Sequence, residues 1–341
     1  MADFGGWDMP IEYVGVVAEH TAVRTTVGAF DVSHMGKLIV TGSGAAAALN
    51  RVLVNDLDRI GTGQAQYSML CNETGGVVDD LIVYRYSDDL VRIVPNAANA
   101  AAVRDALRVA LPVDVEVIDR HRDEGIVAIQ GPDSAGVVAD LGLLPAGGLD
   151  YMSFSTGAFG SAEAVVCRTG YTGEHGYEVI IGNDALPDLW DAVTAAAQPC
   201  GLGSRDTLRT EMGYPLHGQD ISPDITPVEA GLSWAVGWDK PEFAGRDALT
   251  AMRAAGRPRA LRGVRLDGRG VPRPHMTVST ADGQPVGETT SGTFSPTLRA
   301  GIALALVDPD LGFGTEVTVD VRGRAVPGHV VRTPFVDASP K

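Results

Sequence analysis

LIVYRYSDDLVRIVP (Leu81–Pro95) is the stretch on which the fold class turns. Leu81–Tyr86 and Val91–Pro95 are apolar runs of strand length, rich in β-branched and aromatic residues. The join at Ser87-Asp88-Asp89 is of hairpin length, which favours an antiparallel sheet. That reading predicts an α+β protein and not a doubly wound α/β one.

Upstream, the same strand is entered through a glycine turn and two acids, GGVVDDLIVY (Gly75–Tyr84). Strand side chains alternate between faces, so Asp80 goes with Ile82 and Tyr84, and Asp79 with Leu81 and Val83. If both faces are covered, a carboxylate lies among apolar side chains, which is costly without a partner or a task. Two acids capping nearby amides at a strand entrance would also fit the pattern.

Further out, a helix at about 12–23 precedes the strand Lys37–Thr41, and Gly42-Ser43-Gly44 opens an alanine-rich helix. Strands and helices alternate from Tyr67 to Pro145. Tyr151–Phe159, Ala162–Cys167 and Tyr177–Ile181 read as strands, followed by helices Leu186–Ala197 and Ser204–Met212. After Gly245, short strands with Gly/Pro turns predict a small all-β barrel or sandwich.

The 341 residues imply two or three domains. A net charge of −16 argues against nucleic-acid binding. No apolar run reaches membrane-span length, and MADFGGWDMPIEY has no signal-peptide features, so a cytoplasmic protein without a membrane partner is expected. Cys71, Cys167 and Cys200 lie far apart without C-x-x-C spacing and read as buried, inert thiols. His217 and His275 fit no metal spacing, and the glycine-rich stretches complete no nucleotide-phosphate motif. Eight arginines fall between Arg246 and Arg273, either a solvated face or a landing site for an anionic partner.

Three other stretches stand out. In CRTGYTGEHGYEV (Cys167–Val179), Gly170, Gly173 and Gly176 require a sharp turn or the close approach of another group. Glu178, on the strand that follows, can offer two acceptors to a ligand edge with parallel N–H donors, or it can pair with a core arginine. In GLGSRDTLRTEMGYPLHGQD (Gly201–Asp220), Ser204 is a plausible N-cap, and Arg205 and Arg209 lie one helical turn apart. That helix start suits an anion, or its arginines lock two domains together. TTSGTFSPTL (Thr289–Leu298) reads as a small-residue loop closed by Ser-Pro. His34 and His175 have no nucleophile motif beside them and read as structural or supporting residues.

Seven motifs then occur in one order: FGGWDMP, EHTAVRTTVGAFDVSHMG, GGVVDDLIVY, VPNAAN, RTGYTGEHGYE, GLGSRDTLRTEMGYPLHGQD and TSGTFSPTL. Together they resemble the aminomethyltransferase (T-protein) family of the glycine cleavage system, from residue 4 to the C-terminus. Relatives usually carry a short segment before FGGW. No flavin-binding half accompanies the motifs, unlike the related dimethylglycine and sarcosine oxidases. Gly170 stands where the folate-binding proteins of iron–sulfur maintenance carry a cysteine, which disfavours that regulatory alternative.

The resemblance implies a three-domain ring of two mixed antiparallel-sheet α+β domains and a C-terminal β-barrel around a folate channel. The domains implied are 1–50 with 142–245, an inserted 51–141, and 246–341. It implies transfer of the methylene of a lipoyl-bound aminomethyl group on H-protein to tetrahydrofolate as co-substrate, without metal, flavin or nucleotide. Asp80 maps onto the family's catalytic acid, with Asp79 structural. Glu178 and Arg205 map onto folate contacts, and Asn96 and Tyr67 onto positions near the pterin. A monomer is expected.

Overall fold

The computed structural model describes residues 1–341 and contains a two-stranded N-terminal hairpin, two larger open sheets and a closed barrel. The first of the larger sheets is built on the hairpin read at Leu81–Pro95. Val77–Arg85 and Leu90–Pro95 pair antiparallel, with Ile82 opposite Val94 and Tyr84 opposite Arg92. Gln64–Cys71 flanks one side, and Leu38–Thr41 and Glu116–Asp119 continue the other, all antiparallel. Alternation sorts the strand Val77–Arg85 as expected. Asp79, Leu81 and Val83 are buried, and the latter two pack with Leu38, Leu49, Val103 and Leu107 beneath the helices.

The second sheet runs Phe154–Phe159, Ala162–Cys167, Gly176–Gly182, Glu124–Gln130, Gly28–Asp31 and Gln198–Pro199. The last strand alone pairs parallel to its neighbour. Phe30, Val94, Tyr84, Phe154 and Ile180 form a core shared by both sheets. The six-stranded barrel begins at Ala260 and closes where Ala260–Leu266 meets both Ala300–Val307 and Ala325–Val331.

The chain passes from the second sheet to the first between Asp31 and Leu38, and returns between Asp119 and Glu124. The sheets therefore divide it at other places than the implied boundaries at 50/51 and 141/142. Leu38–Thr41 matches the strand read at Lys37–Thr41, whereas Gly28–Asp31 is not read as a strand from the sequence and takes its place from distant partners at Val127–Gln130 and Gln198–Pro199.

Three local expectations are corrected. TTSGTFSPTL is mostly the barrel strand Pro285–Ser295, not a loop. Its small polar side chains are buried because distant groups satisfy them: Thr290 and Ser291 donate to Asp220, and Ser295 donates to Glu211. The helix read from Ser204 starts at Leu202 with Gly201 as N-cap, and Ser204 instead donates to Gly201 O and to Glu19. A helix, Arg246–Ala255, precedes the barrel. No helix is long and apolar enough to cross a membrane.

Candidate active site

Both sheets and the barrel contribute walls to one cavity of about 1130 Å³. Asp80, Ile82 and Tyr84, the other face of the strand Val77–Arg85, line it. All five residues singled out from the sequence, Tyr67, Asp80, Asn96, Glu178 and Arg205, line this one space.

Around Asp80 the geometry is tight. Tyr67 donates its phenol to Oδ2 at 3.0 Å, and Asn96 Nδ2 donates to Oδ1 at 2.7 Å. The same Asn96 nitrogen reaches Asp79 Oδ1 at 2.9 Å, while the Asn96 backbone N–H donates to Asp79 Oδ2 at 2.9 Å. Asn99 adds a bond to Asp79 Oδ1 at 2.7 Å. Burial pushes both carboxyls upward, and the charge of Asp80 adds to the rise at Asp79. Burial also holds the Tyr67 phenol protonated, with the neighbouring Asp80 charge acting the same way. Tyr67 stacks at 5.6 Å on Trp234, an exposed side chain at the cavity.

Glu178 projects from the middle of the second sheet, between Ala162–Cys167 and Glu124–Gln130. Thr169 donates to its Oε2, and no arginine forms a salt bridge with it, so the core ion-pair reading fails. Arg205 has a buried Nη1 without a hydrogen-bond partner, and its guanidinium lies 4.9 Å from the Tyr171 ring centroid. Burial pulls the Arg205 pKa down, and the nearby charge of Glu178 opposes that. His34 also lines the cavity. Burial, with Arg205 beside it, holds its imidazole neutral down to about 3.

The two arginines of one helix thus divide the readings that sequence left open. Arg205 faces the cavity. Arg209 bonds Asp206, Asp220 and Ser291, tying the helix to the barrel. The helix start takes an anion, but it is the chain's own Glu19, which accepts Gly201 N–H at 2.8 Å. The glycine triplet is explained equally locally. Cβ atoms at Gly170 and Gly176 would stand 2.1 and 2.4 Å from the Gln130 side chain, so the close approach is by a protein amide. Gly173 has φ +81°.

Of the basic segment, Arg259 is committed to Glu229 at 2.8 Å, and Arg253 lies 4.5 Å from the Trp238 ring centroid. Arg262 lines the cavity, and both it and Arg332 lie against the Phe313 ring, 5.2 and 4.2 Å from its centroid. No group of three or more His, Cys, Asp or Glu is arranged to hold a metal ion. Sequence reading missed Thr169, Asn99 and His217. Asn99 lies within VPNAAN and His217 within LHGQD, but nothing local distinguishes them from surface polar residues.

A cavity walled by two sheets and a barrel, with the Asp80 carboxylate at one wall and Glu178 beside the unpartnered Arg205 nitrogen at another, has the concave form and convergent polar groups of a ligand-binding site. Residues 1–240 match the family described as the GCVT N-terminal domain, and residues 259–337 match the glycine cleavage T-protein C-terminal barrel domain. An aminomethyltransferase of Frankia alni is 59% identical over 100% of this chain and 95% of its own. One from Mycobacterium tuberculosis is 54% identical over 98% of this chain and 92% of its own. The crystal structure of glycine cleavage system aminomethyltransferase T from Bartonella henselae superposes with a TM-score of 0.93 at 34% identity, covering 99% of this chain and 94% of that one. The chain belongs to the aminomethyltransferase family, the T-proteins of the glycine cleavage system.

Proposed function

We propose that the chain transfers the methylene of an aminomethyl group, carried on the lipoyl sulfur of H-protein, to tetrahydrofolate. The observation that carries this reading is the pairing within one cavity of Asp80 with the free groups of Glu178 and Arg205. A pterin presents amino and ring N–H donors beside a carbonyl, which suits a carboxylate next to a guanidinium.

The S–CH₂ bond breaks to leave dihydrolipoyl carrier, and the C–N bond breaks to release ammonia. Two new C–N bonds join the carbon to N5 and N10 of folate, which give up their protons. Positive charge builds on the leaving ammonium and then on a methylene-iminium. Asp80, fixed by Tyr67 and Asn96 beside those nitrogens, stabilises that charge and relays a proton. Holding carrier arm and folate together supplies much of the rest.

Tetrahydrofolate is the co-substrate, and no step calls for a metal, flavin or nucleotide. The working unit is a cytoplasmic monomer, discontinuous in its first domain, that meets H-protein at the cavity mouth near Arg262. The test is ammonia release from aminomethylated H-protein with and without tetrahydrofolate. Release that does not depend on folate would sink the reading.

A further inference from the structure

The segment 214–220 leaves the helix Leu202–Met212 and carries His217 to the cavity wall. Its imidazole makes two contacts with the Asp80 neighbourhood. Nε2 lies 3.0 Å from Val77 O, and Nδ1 lies 2.9 Å from Asn99 Nδ2. A carbonyl only accepts, so Nε2 carries the proton and donates to Val77. Nδ1 of the neutral ring is then an acceptor, and Asn99 donates one amide hydrogen to it. The other hydrogen of Asn99 goes to Asp79 Oδ1 at 2.7 Å. Asp79 and Asp80 are in turn bridged by Asn96 Nδ2, at 2.9 and 2.7 Å. Each link from His217 through Asn99, Asp79 and Asn96 to Asp80 has a single donor–acceptor sense.

The far end of this chain is anchored. Asp220 Oδ2 accepts Leu216 N–H at 2.8 Å, Arg209 Nη1 at 2.8 Å and Ser291 Oγ at 2.8 Å, and its Oδ1 accepts Thr290. The loop bearing His217 is thereby fixed to the helix Leu202–Met212 and to the barrel strand Pro285–Ser295.

We infer that His217 is a positioning residue. Through Asn99 and Asp79 it fixes the rotamer of the Asp80 carboxylate, and so couples the barrel to the reacting centre. The inference rests on the role proposed for Asp80. A buried carboxylate loses its value when it turns away from the charge it stabilises, and a shift of about 1 Å costs on the order of a hundredfold in rate. His217 acts on orientation, so its loss should appear in kcat and not in folate affinity.

Isosteres separate this from a merely structural role. An Asn side chain puts its oxygen where imidazole Nδ1 sits and keeps the acceptor for Asn99. A Gln side chain reaches the Nε2 position and keeps only the bond to Val77. Wild-type turnover of aminomethylated H-protein is measured first, and its absence would count against the proposed function itself. Given turnover, His217→Gln and His217→Leu should lower kcat by about ten- to a hundredfold, with calorimetric tetrahydrofolate Kd unchanged. His217→Asn should recover most of that loss. Asn99→Leu combined with His217→Leu should cost no more than either alone, because both break one chain. If His217→Leu is too unstable to assay, the Asn and Gln variants decide the matter at matched thermal stability. Equal kcat for those two variants, a larger effect on folate Kd than on kcat, or additive losses in the double variant would each overturn the inference.

Discussion

A strand turns neighbouring side chains to opposite faces, and at the pair 79–80 this gives two carboxylates different neighbours. Asp79 is fully buried and accepts three hydrogen bonds, whereas Asp80 lies at the cavity wall with one donor on each oxygen. Asp80→Asn keeps the shape and removes the charge. It should raise the transfer barrier by about 2–4 kcal/mol, the range for losing one electrostatic stabiliser, while folate affinity changes little. Asp79→Asn puts an amide among three donors, so its larger effect should be on thermal stability. Steady-state kinetics and melting curves on both variants check this, and the reverse ranking would mean that the faces are wrongly assigned. Glu178→Gln sets an amide donor against a ligand edge that itself donates. Tetrahydrofolate affinity should fall by about 1.5–3 kcal/mol, as for a lost charge-assisted hydrogen bond. Titration calorimetry reads this directly, and an unchanged Kd in a folded variant would remove Glu178 from the site.

Elements are held in place here by close backbone approaches. The turn before the Asp79–Asp80 strand packs so tightly on the connector around Pro223, between the helix Leu202–Met212 and the barrel, that a Cβ at Gly76 would stand 1.7 Å from Pro223 O. Backbone cannot yield as a side-chain tip does, so Gly76→Ala should destabilise by about 1–3 kcal/mol, as overpacking does. Denaturant unfolding measures it, and an unchanged midpoint would show that the connector is free to move. The hairpin at Leu81–Pro95 was legible because alternation and a short join are local properties. The strand Pro285–Ser295 was not, since a run of Thr and Ser reads as a loop until Asp220 and Glu211 arrive to bond it.

The whole molecule is locked where the helices Val16–Thr25 and Leu202–Met212 meet the barrel. Glu211 is fully buried there. Burial alone would raise its pKa, but bonds from His20 and Ser295 and the charge of Arg24 outweigh that and hold it at about 2. Its folded value lies below the ordinary 4.5, so the unfolded chain binds more protons between those limits. The stabilisation is complete above about pH 4.5 and is lost as pH falls toward 2. Over that window Glu211 should account for about 3 kcal/mol of acid sensitivity. Melting temperatures of wild type and Glu211→Gln from pH 6 to 3 test this. The gap between them should narrow as the pH drops, and a constant gap would refute the assignment.

The α+β class, the alternation that separates Asp79 from Asp80, an all-β unit of short strands near the C-terminus and the order of motifs that carries the family resemblance are legible in the sequence alone. These follow from periodicity and residue chemistry over a few positions. Only the tertiary structure decides which strands share a sheet, that Arg205 and not Arg209 is left free in the cavity, and that Gln130 approaches Gly170 and Gly176 while Met212 approaches Gly173. It also brought His217 to Asn99, across 118 residues of chain. A hydrogen bond or a shared wall between such distant segments depends on how whole sheets pack, and no short-range pattern encodes the partner.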